Sequence, residues 1–392
     1  MKAKAETTLI GLLSSALSGY TPSSLPEADY QALYRLAKHH AVANIVAYAM
    51  QKNHIKIPPE SRALFNRALI AGVYMEANQS AESAAMSQAL DDAQIRHIFL
   101  KGSVLRKYYP SPDMRTSCDM DVLVDRENID AACQVMKNRG YRFVEEGEKD
   151  ILFVKAPNIH VELHKTLAEE EYAGKELFDS ILDSSLPDGQ RMYARVMTDE
   201  DFYVYMIFHV AKHFINGGSG IRSVLDIWIY RKNKPALNES VIREKLRVLK
   251  LETFERELVS LSKVWMEGAQ GTALSNALSD FVIGAGTFGT QENRVGVQLG
   301  KDSRKARCAY MFSRAFPPWR KMKYRYPILK KIPVLLPFCW AWRFMDIFSK
   351  KRKQRIASEI QLGHTMSKDK IEQITALYRQ LELHTINENT KG

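Results

Sequence analysis

Two short stretches carry residues whose types and spacing could do chemistry. In Phe99-Leu-Lys-Gly-Ser103 a Gly-Ser pair follows an apolar run, and Arg115-Thr-Ser-Cys-Asp119-Met-Asp121-Val-Leu-Val124 holds two aspartates one residue apart. Successive side chains of a strand leave on opposite faces. Asp119 and Asp121 therefore share one face of a strand, and Met120, Val122 and Val124 are left to enter a core on the other. Carboxylates that close repel each other unless a cation lies between them, and a hard cation with a preference for oxygen ligands, Mg²⁺ or Mn²⁺, fits. A glycine at 102 allows close backbone approach, and a helix running from Ser103 to Tyr109 would turn N–H groups toward an anion such as phosphate.

A third carboxylate follows in Ile159-His160-Val161-Glu162-Leu163-His164, where apolar and polar residues alternate with the period of a half-buried strand. Glu162 leaves on the polar face with His160 and His164. If this strand lies beside the Asp119 strand, three carboxylates surround one or two metal ions, the arrangement that clamps attacking and leaving oxygens in an in-line displacement. A lone Asp-x-Asp is more often a solvated face. What distinguishes this one is the succession of strand, Gly-Ser, helix, acidic strand, helix and third acidic strand within one small α/β unit.

With these residues in place, the stretch from 97 to 167 resembles the core of the polymerase-β-like nucleotidyltransferase superfamily, and most closely a bacterial family known as uncharacterised nucleotidyltransferases. The resemblance implies a small mixed-sheet, palm-like unit. It implies nucleotide contacts at Lys101, Gly102, Ser103 and Arg115, metal binding by Asp119 and Asp121, a site completed by Glu162, and Mg²⁺ or Mn²⁺ as cofactor. The activity it implies moves a nucleoside monophosphate from an NTP to an unidentified acceptor and releases pyrophosphate. Fifteen residues separate Ser103 from Asp119, more than in the commonest form of the pattern, which fits an inserted turn at Tyr109-Pro-Ser-Pro-Asp113. Lys101-Gly-Ser and Arg115-x-Ser117-x-Asp119-x-Asp121 also resemble the abortive-infection nucleotidyltransferase toxins, which makes tRNA an alternative acceptor. The competing class is a non-catalytic nucleotide-binding or membrane-surface protein of a polysaccharide system.

The elements that must position these groups give an α+β chain: a helical region over 1–92, the α/β core over 93–167, a helical domain over 168–300 and a basic, aromatic-rich region over 301–392. In the first region helical spacing predicts a first helix through Leu9 to Leu17, although its start superficially imitates a signal peptide. Helices are expected over Tyr30–Met50, Glu60–Tyr74 and Met75–Asp92, with Pro58-Pro59 as a break and His39 and His40 as ordinary helix residues. Within the core, a helix over Asn128–Gly140 and a strand pair, Tyr141–Glu145 and Ile151–Lys155, are expected. In the third region a helix starts at Thr198 with Asp201 as a capping signal. It carries His209 and His213, followed by Arg222 and Asp226, each pair four residues apart and so on one helix face. A metal site at the histidines would need further ligands that the sequence does not supply. For Arg222 and Asp226 a salt bridge or a helix cap is the default. The related family carries His and Arg-x-x-x-Asp here, which makes both pairs, like His160 and His164, candidate nucleotide or acceptor contacts. Gly284-Ala-Gly286-Thr-Phe-Gly289 matches a dinucleotide-binding pattern, but no strand and apolar helix surround it, so it reads as a helix end and loop.

Charge is segregated. Of the net +11 over 392 residues, Lys301 to Arg355 contributes +15, from seventeen Lys and Arg against Asp302 and Asp346, and the rest sums to −4. Such a segment attracts RNA, an anionic membrane surface or another polyanion. Its apolar run, Ile332 to Trp342, is eleven residues long with two prolines. That is far short of the ~20 needed to span a bilayer, so no transmembrane helix is expected; the run either lies on a membrane surface or packs against the catalytic unit. Cys118, Cys133, Cys308 and Cys339 are scattered without a Cys-x-x-Cys pair, so neither a zinc knuckle nor a disulfide framework is suggested and a reducing cytoplasm is expected, with peripheral membrane contact as an option. A closing helix is expected over Ser367–Leu383 and disorder over Asn387–Gly392.

Overall fold

The computed structural model describes residues 2–19, 29–189, 191–287, 289–299, 312, 316–346 and 366–383. The first helix, α1 (Lys2–Leu17), buries Leu9, Leu12, Leu13 and Leu17, the apolar positions that recur at helical spacing. The Tyr30–Met50 pattern forms two helices instead of one, α2 (Tyr30–His39) and α3 (Ala43–Lys52). The break falls at Ala41, whose φ of 53° no helix contains. Conversely, the patterns expected as Glu60–Tyr74 and Met75–Asp92 are one continuous helix, α4 (Pro59–Asp92), because nothing at the join interrupts its hydrogen bonds. Its 34 residues reach about 50 Å at 1.5 Å per residue. Pro58 and Pro59 mark its start as expected, Pro59 occupying the first turn where no N–H is missed.

Two hydrophobic cores meet along α4: Phe65 enters the larger one, Met86 and Leu90 the smaller. The smaller core lies under one face of a sheet. Its strands are β1 (His97–Phe99), β2 (Met120–Val124), β3 (Arg142–Glu146), β4 (Asp150–Lys155), β5 (Ile159–His164), β6 (Leu186–Pro187) and β7 (Ala194–Val196), in the order β3-β4-β5-β2-β1-β7-β6. The sheet is mixed: β2 runs parallel to β5 and β1 to β7, and the other pairings are antiparallel. A short helix α5 (Gly102–Leu105) follows β1, and α6 (Ile129–Asn138) follows β2. Met120, Val122, Val124, Val161 and Leu163 face the smaller core with Ala132 and Met136 of α6, so the alternation read from the sequence is the alternation that forms. The sheet continues past Leu167, since β7 pairs with β1 beyond a small helix, α7 (Lys175–Asp179).

The opposite face is roofed by the larger core. At its centre is α8 (Asp199–Ile215), buried on nearly every side, as expected of a helix without a polar face. Thr198 caps α8, accepting from the Asp201 N–H at 3.1 Å. Around it stand α9 (Ile221–Asn233), α10 (Glu239–Val248), α11 (Glu252–Glu267), α12 (Ala273–Ala285) and α13 (Gln291–Leu299). The Gly-x-Gly-x-x-Gly stretch is a helix end and loop, and its glycines have a steric reason. Gly286 ends α12 at φ +67°, with the His39 ring where a Cβ would stand, and a Cβ on Gly289 would lie 2.6 Å from the Gly217 backbone. Two loops cross there without side chains between them, and the crossing fixes the start of α9. His40 completes the junction, fully buried with Nε2 3.0 Å from the Ile283 carbonyl oxygen.

The basic region forms a lobe of its own, with α14 (Trp319–Arg325), α15 (Ile328–Lys331) and α16 (Leu336–Asp346) around a small core of Met322, Leu329 and Cys339. One side of Ile332–Trp342 packs, through Leu335, Leu336, Cys339 and Trp340, on the lobe's own small core, while Ile332, Val334, Phe338 and Trp342 are exposed. The closing helix, α17 (Lys368–Gln380), is capped by Ser367 and buries Ile374, Leu377 and Tyr378 in the larger core. Part of the basic segment Lys301–Arg355 and the expected disorder over Asn387–Gly392 fall outside the described residues.

Two predictions follow from the glycine and histidine junction. Gly286→Ala should lower stability by about 2 kcal/mol or more, from the positive φ and from displacement of His39, read as a drop in melting temperature. Burial, with the neighbouring His39 and Arg222 charges, pushes His40 down to about 4, so the folded state refuses a proton that the unfolded chain takes near pH 6.5. Stability should fall as pH drops from about 6.5 toward 4, by on the order of 3 kcal/mol in all. His40→Gln should flatten that part of the profile in pH-dependent thermal melts.

Candidate functional site

The register of β2 on β5 sets Asp121 opposite Glu162 and Leu123 opposite His164, on strands that run the same way. Asp121, Glu162 and His164 offer ligand atoms within 4.8 Å of one another. Asp119, one residue before β2, lines the same cavity outside that cluster of three. The cavity holds about 330 Å³ between the sheet and helices α8 and α9.

Asp121 is almost wholly enclosed. One of its oxygens, Oδ1, receives both the Lys101 ammonium at 2.7 Å and His164 Nε2 at 2.8 Å. Burial alone would raise its pKa, but Lys101 and His164 hold it well below the usual carboxylate range. Burial likewise works against a charged His164, and its bonds to Asp121 and Glu162 outweigh that and hold its pKa above the ordinary value. Asp119 moves the other way, since burial and the charge on Asp121 push it up. Lys101 reaches Asp121 from a strained backbone, with φ of 47° and ψ of −118°. Gly102, next in sequence, also has a packing reason to be glycine. A Cβ there would lie 3.1 Å from the Ser117 side chain, so its bareness lets the loop before β2 close over α5. The Ser103 N–H is turned back onto the Leu100 carbonyl at 3.2 Å, while its hydroxyl is buried and has no hydrogen-bond partner among the described residues.

The roof of the cavity is cationic. Arg115 does not stand open to the cavity as a free charge. Its Nε and Nη2 donate to the two oxygens of Asp226 at 2.7 and 2.8 Å, and the Tyr109 hydroxyl also donates to Asp226. This corrects the default pairing of Arg222 with Asp226: the fork of Arg115 already fills that carboxylate, and Arg222 donates instead to the Thr116 carbonyl oxygen. Burial and the neighbouring Arg115 push Arg222 down to about 10, which still leaves it charged at neutral pH. His209 and His213 face the same cavity with Nε2 atoms 2.9 Å apart, and burial beside Lys101 lowers both, His213 to about 4. Both rings are therefore neutral at pH 7, one donating to the other.

Of the residues singled out in the sequence, the cavity gathers Lys101, Gly102, Arg115, Asp119, Asp121, Glu162, His209, His213, Arg222 and Asp226. His164 closes the cluster from behind Asp121, and Ser103 does not line the cavity. His160 lies apart, its Nε2 3.2 Å from the Asn158 side chain. Sequence reasoning missed Lys149, which lines the cavity from the β3–β4 turn while paired with Asp150 at 2.9 Å. A lysine in an acidic turn gives no signal of that placement. It also missed the Tyr109 hydroxyl, hidden in what reads as an inserted turn.

The donor set fits a divalent cation. Two carboxylates converge, a third, Asp119, lines the same cavity, and the raised pKa of Asp119 marks a place short of positive charge. Two oxygen donors from Asp121 and Glu162 suit Mg²⁺ or Mn²⁺, while His164, the third member of the cluster, is engaged as a donor to Asp121 and has no lone pair on that nitrogen for a cation.

The Arg115–Asp226 pair is nearly closed to solvent, with side chains 11% and 9% exposed. Asp226→Ala leaves a guanidinium buried without its counter-charge and should cost about 3–5 kcal/mol in chemical denaturation. Arg115→Met with Asp226→Leu should recover most of that loss. Equal destabilisation in the single and double variants would mean that packing, not charge pairing, is what the site loses.

Comparison with known proteins yields one family. Neither the curated proteins nor the solved structures give a match. The model of the family described as uncharacterised nucleotidyltransferase matches residues 26–267, from just before α2 to the end of α11. That stretch is more than half of the chain and contains the whole carboxylate cluster with its cationic roof: the chain belongs to the uncharacterised nucleotidyltransferase family.

Proposed function

We propose that this chain is a metal-dependent enzyme that transfers a nucleoside monophosphate from an NTP to an acceptor hydroxyl or phosphate. The observation that carries the reading is the parallel register of Asp121 against Glu162 at the floor of a cavity roofed by cations. Asp119, Asp121 and Glu162 would hold Mg²⁺ or Mn²⁺, and the metal, when bound, neutralises charge developing on the transferred phosphate. Glu162 has a side chain 28% exposed against 4% for Asp121, which gives it room to take the acceptor's proton. The freed oxygen attacks the α-phosphorus, the bond to the bridging oxygen breaks, and pyrophosphate leaves with the electron pair.

Arg222 is the roof cation best placed to receive phosphate, because Arg115 is spent on Asp226. Lys149 lines the cavity with it. The neutral imidazoles of His209 and His213, beside Met206 and Val210, suit an uncharged hydrogen-bonding group such as a nucleobase or sugar.

The test offers each α-labelled NTP with Mg²⁺ or Mn²⁺ to the purified protein with cell extract. A labelled product is expected, and Asp119→Ala should reduce its formation at least about a hundredfold with melting unchanged, whereas Asp121→Ala should reduce it as much and also lower the melting temperature, because it strands the Lys101 ammonium and His164. Activity within a few-fold of the parent in either variant would remove the carboxylates from the reaction. Arg222→Ala should weaken NTP binding about tenfold in calorimetry and leave nucleoside binding unchanged.

A further inference from the structure

The basic lobe carries a surface that the transfer reaction does not use. In α16 and the turn before it, Leu335, Leu336, Cys339 and Trp340 face the lobe's small core against Trp319, Met322, Tyr326 and Leu329. The outward side is apolar as well. Phe338 and Trp342, four apart, share one side of α16, Val334 stands in the turn before it, and Val334, Phe338 and Trp342 are 82%, 72% and 61% exposed. Ile328 and Ile332 add two further branched side chains, each about half exposed. No charge interrupts the run from Ile332 to Trp342. Cations flank it instead: Arg320, Lys321 and Lys331 are exposed and form no ion pair among the described residues, and Arg343 follows Trp342.

We propose that this lobe docks on an anionic lipid bilayer, lying flat in the interface with the Val334–Phe338–Trp342 stripe among the acyl chain ends and the surrounding Lys and Arg at the headgroups. The chemistry selects this occupant over two others. A single-stranded nucleic acid asks for aromatic rings on which bases stack, and three of the five exposed side chains are aliphatic, which gain from hydrocarbon and offer a base no π-face. A second copy of the chain would bring like charges of the same flank together, which opposes self-association. An anionic bilayer satisfies both parts at once, hydrocarbon for the stripe and negative charge for its rim. Contact is peripheral, since no described helix is long and apolar enough to cross a membrane. The lobe is fastened to the catalytic sheet by Lys330 on Glu146 at 2.9 Å and by the Lys165 ammonium over the Tyr324 ring at 4.7 Å.

The experiment is flotation of the full-length protein with vesicles of phosphatidylcholine alone or with 30 mol% phosphatidylglycerol, at low and physiological salt. Binding is expected to the anionic vesicles only, and to weaken several-fold as salt rises. Phe338→Glu with Trp342→Glu should reduce vesicle binding at least tenfold. Because both side chains are already exposed, melting and NTP binding should stay unchanged. Charge reversal at Arg320, Lys321 and Lys331 should give a similar loss that added salt no longer deepens. Vesicles with brominated acyl chains should quench tryptophan fluorescence, and Trp342→Phe should abolish most of the quenching. Three results overturn the proposal: equal binding to neutral and anionic vesicles in both variants and parent, binding to tRNA without binding to vesicles, or concentration-dependent dimerisation abolished by Phe338→Glu.

Discussion

A carboxylate closed off from water has to be paired, and the arrangement around Asp121 follows from that requirement. Its two partners come from different strands, Lys101 from the end of β1 and His164 from the end of β5, so β2 must lie between them. Pairing also fixes the phase of each strand. A slip of one residue in β5 would turn Glu162 and His164 into the smaller core and Val161 and Leu163 into the cavity, stranding Asp121 and wetting the core at once. Burial of one face and ion pairing on the other thus enforce the same register. The strained backbone of Lys101 persists because both sides of it are held, by the Leu100 N–H on the Asp121 carbonyl and by the ammonium on the Asp121 carboxylate.

The segment between Ser103 and Asp119 is long, yet it is tied down at each turn. The Gln79 side chain, buried on α4, donates to the Ser117 carbonyl at 2.9 Å and accepts from Arg106 at 2.7 Å. Asn44 holds the carbonyls of Asp113 and Met114, and the Tyr48 hydroxyl holds the Asp113 carboxylate. Helices α3 and α4 therefore shape the loop that places Arg115. The N-terminal region is part of the cavity's construction, which is why one long helix touches both cores.

Strand alternation made the floor of the site legible in the sequence. Asp119-x-Asp121 and His160-x-Glu162-x-His164 need only a period of two to be read, and the cores confirm the opposite faces. The roof was legible only as a list of residues. Spacing of four favours Arg222 with Asp226, but a bidentate fork from Arg115, 111 positions away, is geometrically better than a monodentate contact along one helix. No local pattern can show a partner at that distance. The same limit hid Lys149, β7 and the unity of α4: each is settled by what packs against it. The glycines of 284–289 were legible as a loop, while the need for Gly286 came from the His39 ring and the need for Gly289 from a second loop at 217–218.

Lobe and cavity share one piece of backbone. Lys165 follows His164 directly, and its N–H donates to the carbonyl of Lys149, the cation that lines the cavity. The Lys165 ammonium meanwhile holds Glu146, which also receives Lys330 from the lobe, and carries the Tyr324 ring above it. The attachment of the lobe is therefore built on the β3–β4 turn and the end of β5, the two segments that supply Lys149 and His164. Lys165 thus touches the lobe through Glu146 and Tyr324 and the cavity wall through Lys149. Glu146 is held below the ordinary carboxylate range by Lys330 and Lys165 against the opposing effect of burial, so this joint carries negative charge at neutral pH. An anionic surface that drew Lys330 away would leave Lys165 as the remaining cation on Glu146, and Lys165 is the residue whose backbone holds Lys149 in place.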